Sequence, residues 1–206
     1  MNLLIIGGAR SGKSSMAEKI ARHQEERSGG GVIYLATARA GDDEMEARIA
    51  AHRERRPDNW KTLEEELYPG RRLQEHIEWE NNAEPGIVLL DCITLLVSNH
   101  IVKVREEGDK EQNNPAEEQL YRRIIEEMER IVQLAGANSF DLILVSNEVG
   151  LGVVPPSEMG RMFRDISGRI NRKLEELCDK TYFMIAGKAV DIEKIASAPL
   201  EEDWPV

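Results

Sequence analysis

The chain has 206 residues, 41% of them hydrophobic and 32% charged, with a formal net charge of -11. That composition reads as a soluble globular protein with one hydrophobic core, a single domain over residues 1–206. The acidic balance argues against a broad basic footprint, so nucleic acid is not an expected partner.

The N-terminal Met-Asn-Leu-Leu-Ile-Ile-Gly-Gly has no basic leader and no cleavage site, and its apolar run is too short for a signal peptide. Asn2 to Ile6 reads as a buried strand ending at glycine. Lys13 to Glu26 reads as a helix with Met16, Ala17, Ile20 and Ala21 on one face, broken by Gly29-Gly30-Gly31. Val32 to Ala36 is a second strand. Asp42 to Arg55 is a charged helix whose stripe of Met45, Ile49 and His52 faces inward, and Pro57 ends it. Thr62 to Asn81 is expected to be an exposed helix.

Gly86 to Asp91 is apolar up to its last residue, as a central parallel strand is. The longer run Ile87 to Val97 is interrupted by Asp91 and Thr94. It falls short of the roughly 20 residues that a membrane span needs. A helix follows from Thr94 to about Val104, then a polar loop from Glu106 to Pro115. Ala116 to Leu134 has helical periodicity through Leu120, Ile124, Met128 and Ile131. Asp141 to Ser146 is a strand, Pro156 to Cys178 a long amphipathic helix, Thr181 to Ile185 a strand, and Pro199 to Val206 a frayed tail. Strands alternating with helices predict an α/β three-layer fold of the P-loop NTPase kind, its central sheet mostly parallel and covered on both faces. The two cysteines, Cys92 and Cys178, lie in apolar segments and form no CxxC pair. They read as buried free thiols in a reducing compartment, which places the protein in the cytoplasm.

Gly7-Gly8-Ala9-Arg10-Ser11-Gly12-Lys13-Ser14 fits G-x-x-x-x-G-K-S/T. In such a loop the glycines let the backbone curl around a phosphate. Lys13 reaches the terminal phosphates, Ser14 offers a hydroxyl to Mg²⁺, and the helix start adds its positive end. Here the motif follows an apolar strand and opens a helix, the context that gives it meaning. Asp91, at the end of a buried strand, reads either as support for the Mg²⁺ shell or as a cap of the next helix. His52, one of four histidines, reads either as a core histidine or, with Arg48, Arg53, Arg55 and Arg56 around it, as a residue beside a nucleotide's phosphates. Of the others, His23 and His76 are expected on polar helix surfaces. Ser146 to Gly152 lies beyond the carboxyl end of a strand, where open α/β sheets bind ligands. It reads as a substrate loop or as an ordinary turn.

Taken together, the chain resembles the bifunctional adenosylcobinamide kinase / adenosylcobinamide-phosphate guanylyltransferase family. The likeness runs from Leu3 to about Ala186. It rests on the phosphate loop, on Tyr34-Leu35-Ala36-Thr37-Ala38, and on Asp42-Asp43-Glu44-Met45 with Arg48-Ile49 and His52-Arg53. Arg56-Pro57, Trp60, Thr62, Leu90-Asp91-Cys92-Ile93-Thr94, Ser146 to Gly150, Phe163-Arg164-Asp165, Gly168-Arg169 and Asn171 complete it.

The resemblance implies two reactions: a nucleoside triphosphate phosphorylates adenosylcobinamide, and GTP then gives GMP to adenosylcobinamide phosphate, releasing pyrophosphate. It implies ATP and GTP as co-substrates with Mg²⁺, a GMP–histidine intermediate at the position of His52, and a homo-oligomer, with a trimer expected. It implies a nucleotide site lined by Thr37, Ala38, Arg39, Arg53, Glu54, Arg55, Glu64 and Asp91 beside the phosphate loop. Some relatives have two adjacent histidines; here residue 51 is alanine, leaving His52 as the candidate. Two rival functions stand beside this one: a small-molecule kinase of the same fold without transferase activity, and a nucleotide-dependent switch protein.

Overall fold

A computed structural model describes residues 1–39, 41, 43–79, 85–106 and 115–196. In chain order the elements are β1 (Asn2–Gly7), α1 (Lys13–Ser28), β2 (Val32–Ala36), α2 (Asp43–Glu54), β3 (Lys61–Glu64), α3 (Pro69–Trp79) and β4 (Ile87–Asp91). They continue with α4 (Ile93–Glu106), α5 (Pro115–Asn138), β5 (Asp141–Val145), α6 (Glu158–Leu177), β6 (Lys180–Ile185) and β7 (Lys188–Asp191). The strands form one seven-stranded sheet in the order β3-β2-β4-β5-β1-β6-β7. Every pairing is parallel except β6 with β7.

The apolar runs of the central strands have a direct cause, because both of their faces are covered. Leu4, Ile33, Leu35, Val88, Leu90, Leu142 and Leu144 point to one side, where they meet Leu73 of α3, Leu96 and Val97 of α4, Ile124 and Met128 of α5, and Ile166 and Ile170 of α6. Leu3, Ile5, Val32, Tyr34, Ile87, Leu89, Ile143 and Val145 point to the other side, against Ala17 and Ala21 of α1 and against Trp60. The period of two along each strand thus divides its residues between two cores. The α/β architecture and the mostly parallel sheet expected from the sequence are both present.

Three expectations need correction. The stretch from Thr62 is not one helix: Lys61–Glu64 pairs with β2 as an edge strand, with only Leu63 buried, and α3 begins at Pro69. His76 is not on a polar surface, because it is 6% exposed. The stripe of α2 covers no core: Ile49 and His52 are half-buried and its other described side chains are exposed. Strand β7 closes a hairpin that had no signal in the sequence reading. Asp42, Asn81, residues 107–114, the Pro199–Val206 tail and the side chains of Met45 and Arg48 lie outside the described residues. Among the described residues no helix is long and apolar enough to cross a membrane.

Candidate active site

The phosphate loop leaves β1 at Gly7, whose φ is 152°. A Cβ there would lie 2.5 Å from the carbonyl oxygen of Met184 on β6. The glycine is therefore required both by conformation and by the neighbouring strand. Replacing Gly7 by alanine is expected to cost about 1–3 kcal/mol of stability, as forced overpacking does. Nucleotide affinity should fall with it, and urea denaturation and a nucleotide titration would check both. Unchanged values in the two assays would mean that the loop tolerates a side chain.

Gly12, at φ 96°, stands at the N-cap of α1 with no side chain capping the first turn. The first amides of the helix therefore keep their donor capacity for an anion. Ser11 Oγ is buried without a hydrogen-bond partner. Its carbonyl is tied down by the Gly187 amide at 3.0 Å, and the Gly7 carbonyl by the Glu148 amide at 3.0 Å. The loop is thus held from β6–β7 and from the end of β5. Lys13 is 7% exposed, and its Nζ donates to the Gly8 carbonyl at 2.6 Å. Burial lowers the Lys13 pKa, while the nearby Cys92 and Asp91 oppose that shift.

The sheet places β5 between β1 and β4: Val145 pairs with Ile5 on one side and with Asp91 on the other. Asp91 nevertheless reaches the field of Lys13 because α1 packs across this part of the sheet. Its Oδ2 accepts a hydrogen bond from the Tyr34 hydroxyl at 2.7 Å. Burial, and then Asp91, raise the Tyr34 pKa, so the phenol stays protonated and the bond persists. The Arg56 guanidinium lies 3.4 Å from the centre of the Tyr34 ring. Burial also pushes the Cys92 thiol up to about 11, which keeps it neutral.

Thr37 is completely buried, and its hydroxyl clips the end of β2 to β4, donating to the Cys92 carbonyl at 2.6 Å and accepting from the Cys92 amide at 3.0 Å. Asn147 donates to Thr94 at 2.6 Å, and Ser146 to Asn171 at 2.6 Å. The Ser146–Gly150 segment is thereby fastened to α4 and α6.

The remaining predicted residues gather along α2 and β3. Arg53 forms an ion pair with Glu64, and both line a cleft of 510 Å³ with Arg56, Trp60 and Thr62. They also line an adjoining cleft of 780 Å³ with Ala38, Glu46 and Ile49. Arg39 pairs with Glu66 at 3.7 Å. Glu54 and Arg10 are exposed. His52 meets this group through Arg55, whose Nη2 lies 3.1 Å from His52 Nδ1. Arg55 in turn leads to Glu18 on α1, the helix that the phosphate loop opens.

Residue-level sequence reading missed Glu18 and Tyr34. A carboxylate beside Ala17 on the apolar face of α1, and a phenol in an otherwise aliphatic strand, were the available signals.

A glycine-rich loop between a central strand and an uncapped helix, a buried lysine and a carboxylate two strands away define a P-loop nucleotide-binding protein. The fold agrees with a solved ATPase domain that is 17% identical with a TM-score of 0.51, over 88% of this chain and 68% of that one. The family described as cobinamide kinase / cobinamide phosphate guanyltransferase matches residues 3–192, and the chain belongs to it. It is therefore an enzyme of this bifunctional class.

The bifunctional adenosylcobalamin biosynthesis protein CobU of Escherichia coli K12 is 35% identical over 193 residues, covering 94% of this chain and all of the relative (100%). Its counterpart in Salmonella typhimurium LT2 is 36% identical over the same shares. CobP of Pseudomonas aeruginosa is 40% identical over 188 residues, 91% of this chain and 94% of the relative.

Proposed function

We propose that the protein phosphorylates adenosylcobinamide with a nucleoside triphosphate and then transfers GMP from GTP to adenosylcobinamide phosphate, giving adenosylcobinamide-GDP. The GMP passes through a covalent intermediate on His52. The observation that carries this reading is the 3.1 Å approach of Arg55 to His52 Nδ1 on an element that borders the phosphate-loop helix. A plain kinase has no use for a histidine held by a phosphate-binding type of side chain. Family membership supports the two activities.

In the phosphoryl step, residues 7–14 hold the triphosphate, with Lys13 on its terminal phosphates. The uncapped first turn of α1 and the unpartnered Ser11 hydroxyl suit that role. Ala38, Arg39, Arg53, Glu54, Arg55 and Glu64 line the nucleotide's path towards His52, and Thr37, expected among them, is buried and instead holds the strand end behind them. Ser14 and Asp91 supply one hydroxyl and one carboxylate, hard oxygen donors that fit Mg²⁺ when substrate oxygens and water complete its shell. Among the described residues no cluster of three metal-binding side chains competes with that pair. Bound there, Mg²⁺ would neutralise charge on the phosphates. Tyr34 orients Asp91 for this role through its 2.7 Å hydrogen bond.

In the guanylyl step a neutral imidazole nitrogen attacks the α-phosphorus, and pyrophosphate departs with the electrons of the broken P–O bond. The phosphate of adenosylcobinamide phosphate then attacks the same phosphorus and releases the histidine.

Incubation with GTP radiolabelled at the α-phosphorus tests the reading. The protein should acquire a label that is stable to base and labile to acid, and added adenosylcobinamide phosphate should discharge it. A folded protein that consumes GTP without taking up label is a plain kinase or a switch. Asp91→Asn is expected to slow both steps by about 10²-fold, the scale of losing one electrostatic stabiliser. Steady-state rates at saturating Mg²⁺ would measure this, and unchanged rates would make Asp91 a helix cap.

A further inference from the structure

Glu18 is absent from every role given so far, yet it is 5% exposed on the helix that follows the phosphate loop. Its Oε1 is buried without a hydrogen-bond partner, and the nearest cation is Arg55 Nη2 at 3.8 Å. The same Arg55 nitrogen is 3.1 Å from His52 Nδ1. The Arg55 carbonyl is in turn held by Arg22 Nη2 of α1 at 2.5 Å. Trp60 Nε1 and Asn59 Nδ2, just beyond, donate to Glu25 of α1 at 2.8 and 2.7 Å. Helix α1 thus grips the segment that follows α2 along several turns, and Glu18 is its contact nearest to the histidine.

A buried carboxylate is costly unless it is compensated. Here the compensation is a guanidinium that also touches an imidazole. Arginine has donors only, so its contact with Nδ1 requires the lone pair of His52 to be on Nδ1 and the proton of the neutral ring to be on Nε2. A guanidinium is also the group best shaped to take phosphate oxygens. A phosphate that engages Arg55 therefore arrives on the Nδ1 side of the ring.

Building on the GMP–histidine reading, we propose that Glu18 is a positioning residue which, through Arg55, presents Nδ1 of His52 as the nitrogen that accepts GMP. In the resting enzyme Arg55 covers Nδ1. The α-phosphate of GTP draws the guanidinium to its own oxygens while Glu18 keeps that guanidinium beside the ring. The Nδ1 lone pair then forms the N–P bond, the bridging P–O bond breaks, and pyrophosphate leaves with its electron pair. The proton on Nε2 stays in place and leaves the adduct positively charged, primed for the second transfer.

The test begins with the wild-type protein labelled with ¹⁵N-histidine. Before GTP, ¹⁵N spectra should show His52 with Nε2 protonated and Nδ1 bare; after GTP, ³¹P–¹⁵N coupling should place the bond on Nδ1. Attachment at Nε2, or a resting ring protonated on Nδ1, overturns the proposal. Absence of any covalent GMP on the wild type would instead bring down the GMP–histidine reading beneath it.

Glu18→Gln then probes the carboxylate. Single-turnover guanylylation should slow about 10- to 100-fold, the scale of a misplaced reacting group. The KM for GTP should stay within about twofold, because a positioning loss falls on the chemical step. Phosphorylation of adenosylcobinamide should continue at the wild-type rate. Combined with Arg55→Gln, the Glu18 change should add nothing further, as for groups acting as one unit. Equal slowing of kinase and transferase, or no slowing, would mean that Glu18 serves only the packing of α1. If the variant fails to fold, the wild-type spectra alone decide.

Discussion

Replacing Lys13 by alanine should all but abolish phosphorylation of adenosylcobinamide while leaving the protein folded. The ammonium is held in place before any nucleotide arrives, 7% exposed and hydrogen-bonded to the Gly8 carbonyl at 2.6 Å. Such a group loses little reorganisation energy when charge develops on the transferring phosphoryl group. A preorganised stabiliser of this kind is worth about 10²- to 10³-fold in rate. Burial also lowers the Lys13 pKa, so the folded protein holds the charged form at a cost that a bound polyphosphate would relieve. Losing one hydrogen bond from a charged donor should cost about 1.5–3 kcal/mol, and removing a desolvated charge offsets part of it. Phosphoryl-transfer rates and a thermal melt measured on the same preparation separate the two effects. A folded variant with near-normal activity would remove the phosphate loop from the mechanism.

His52→Ala should lose covalent GMP completely, and guanylyl transfer with it. Phosphoryl transfer to a hydroxyl depends on positioning and charge rather than on a histidine, so the kinase step should survive. The melting temperature should barely move, because His52 is half-buried on a helix with no buried face among its described side chains. Two other histidines set the contrast. His100 is 2% exposed, meets the Leu67 carbonyl at 2.9 Å and packs edge-on against Tyr68. His76 is on the buried face of α3. Alanine at either position should lower stability and spare the label. If His52→Ala still takes up GMP, the nucleophile is elsewhere. If it loses both activities together with its thermal stability, His52 belongs to the framework.

Much of this was legible in the chain itself. The phosphate loop carries its own spacing, and β1, β2, β4 and β5 announce themselves because strands buried on both faces must be apolar throughout. Edge strands give no such signal. Only Leu63 of β3 is buried, and β7 contributes two half-buried residues to a hairpin. The stretch from Thr62 to Asn81 therefore read as one exposed helix. Sheet order is also silent in sequence: nothing in Asp141–Val145 says that it lies between the phosphate loop and Asp91. Glu18 was readable as a charge on an apolar face, but its distant partner Arg55 is brought near only by the packing of α1 against the end of α2. Family resemblance named His52 as a site residue; the chain's own periodicity only placed it on a stripe.

The position of β1 also bears on how the enzyme is born. It is synthesised before every other strand of this sheet, yet its sheet neighbours are β5 and β6, at Asp141–Val145 and Lys180–Ile185. The loop's tether at Gly187 comes later still. Until β5, β6 and Gly187 have been made, a nascent chain therefore carries the phosphate-binding sequence without the walls that shape it. Non-local pairing of this kind delays folding until the distant segments exist. On this order the shaped loop, and with it nucleotide binding, waits for β5, β6 and the turn at Gly187.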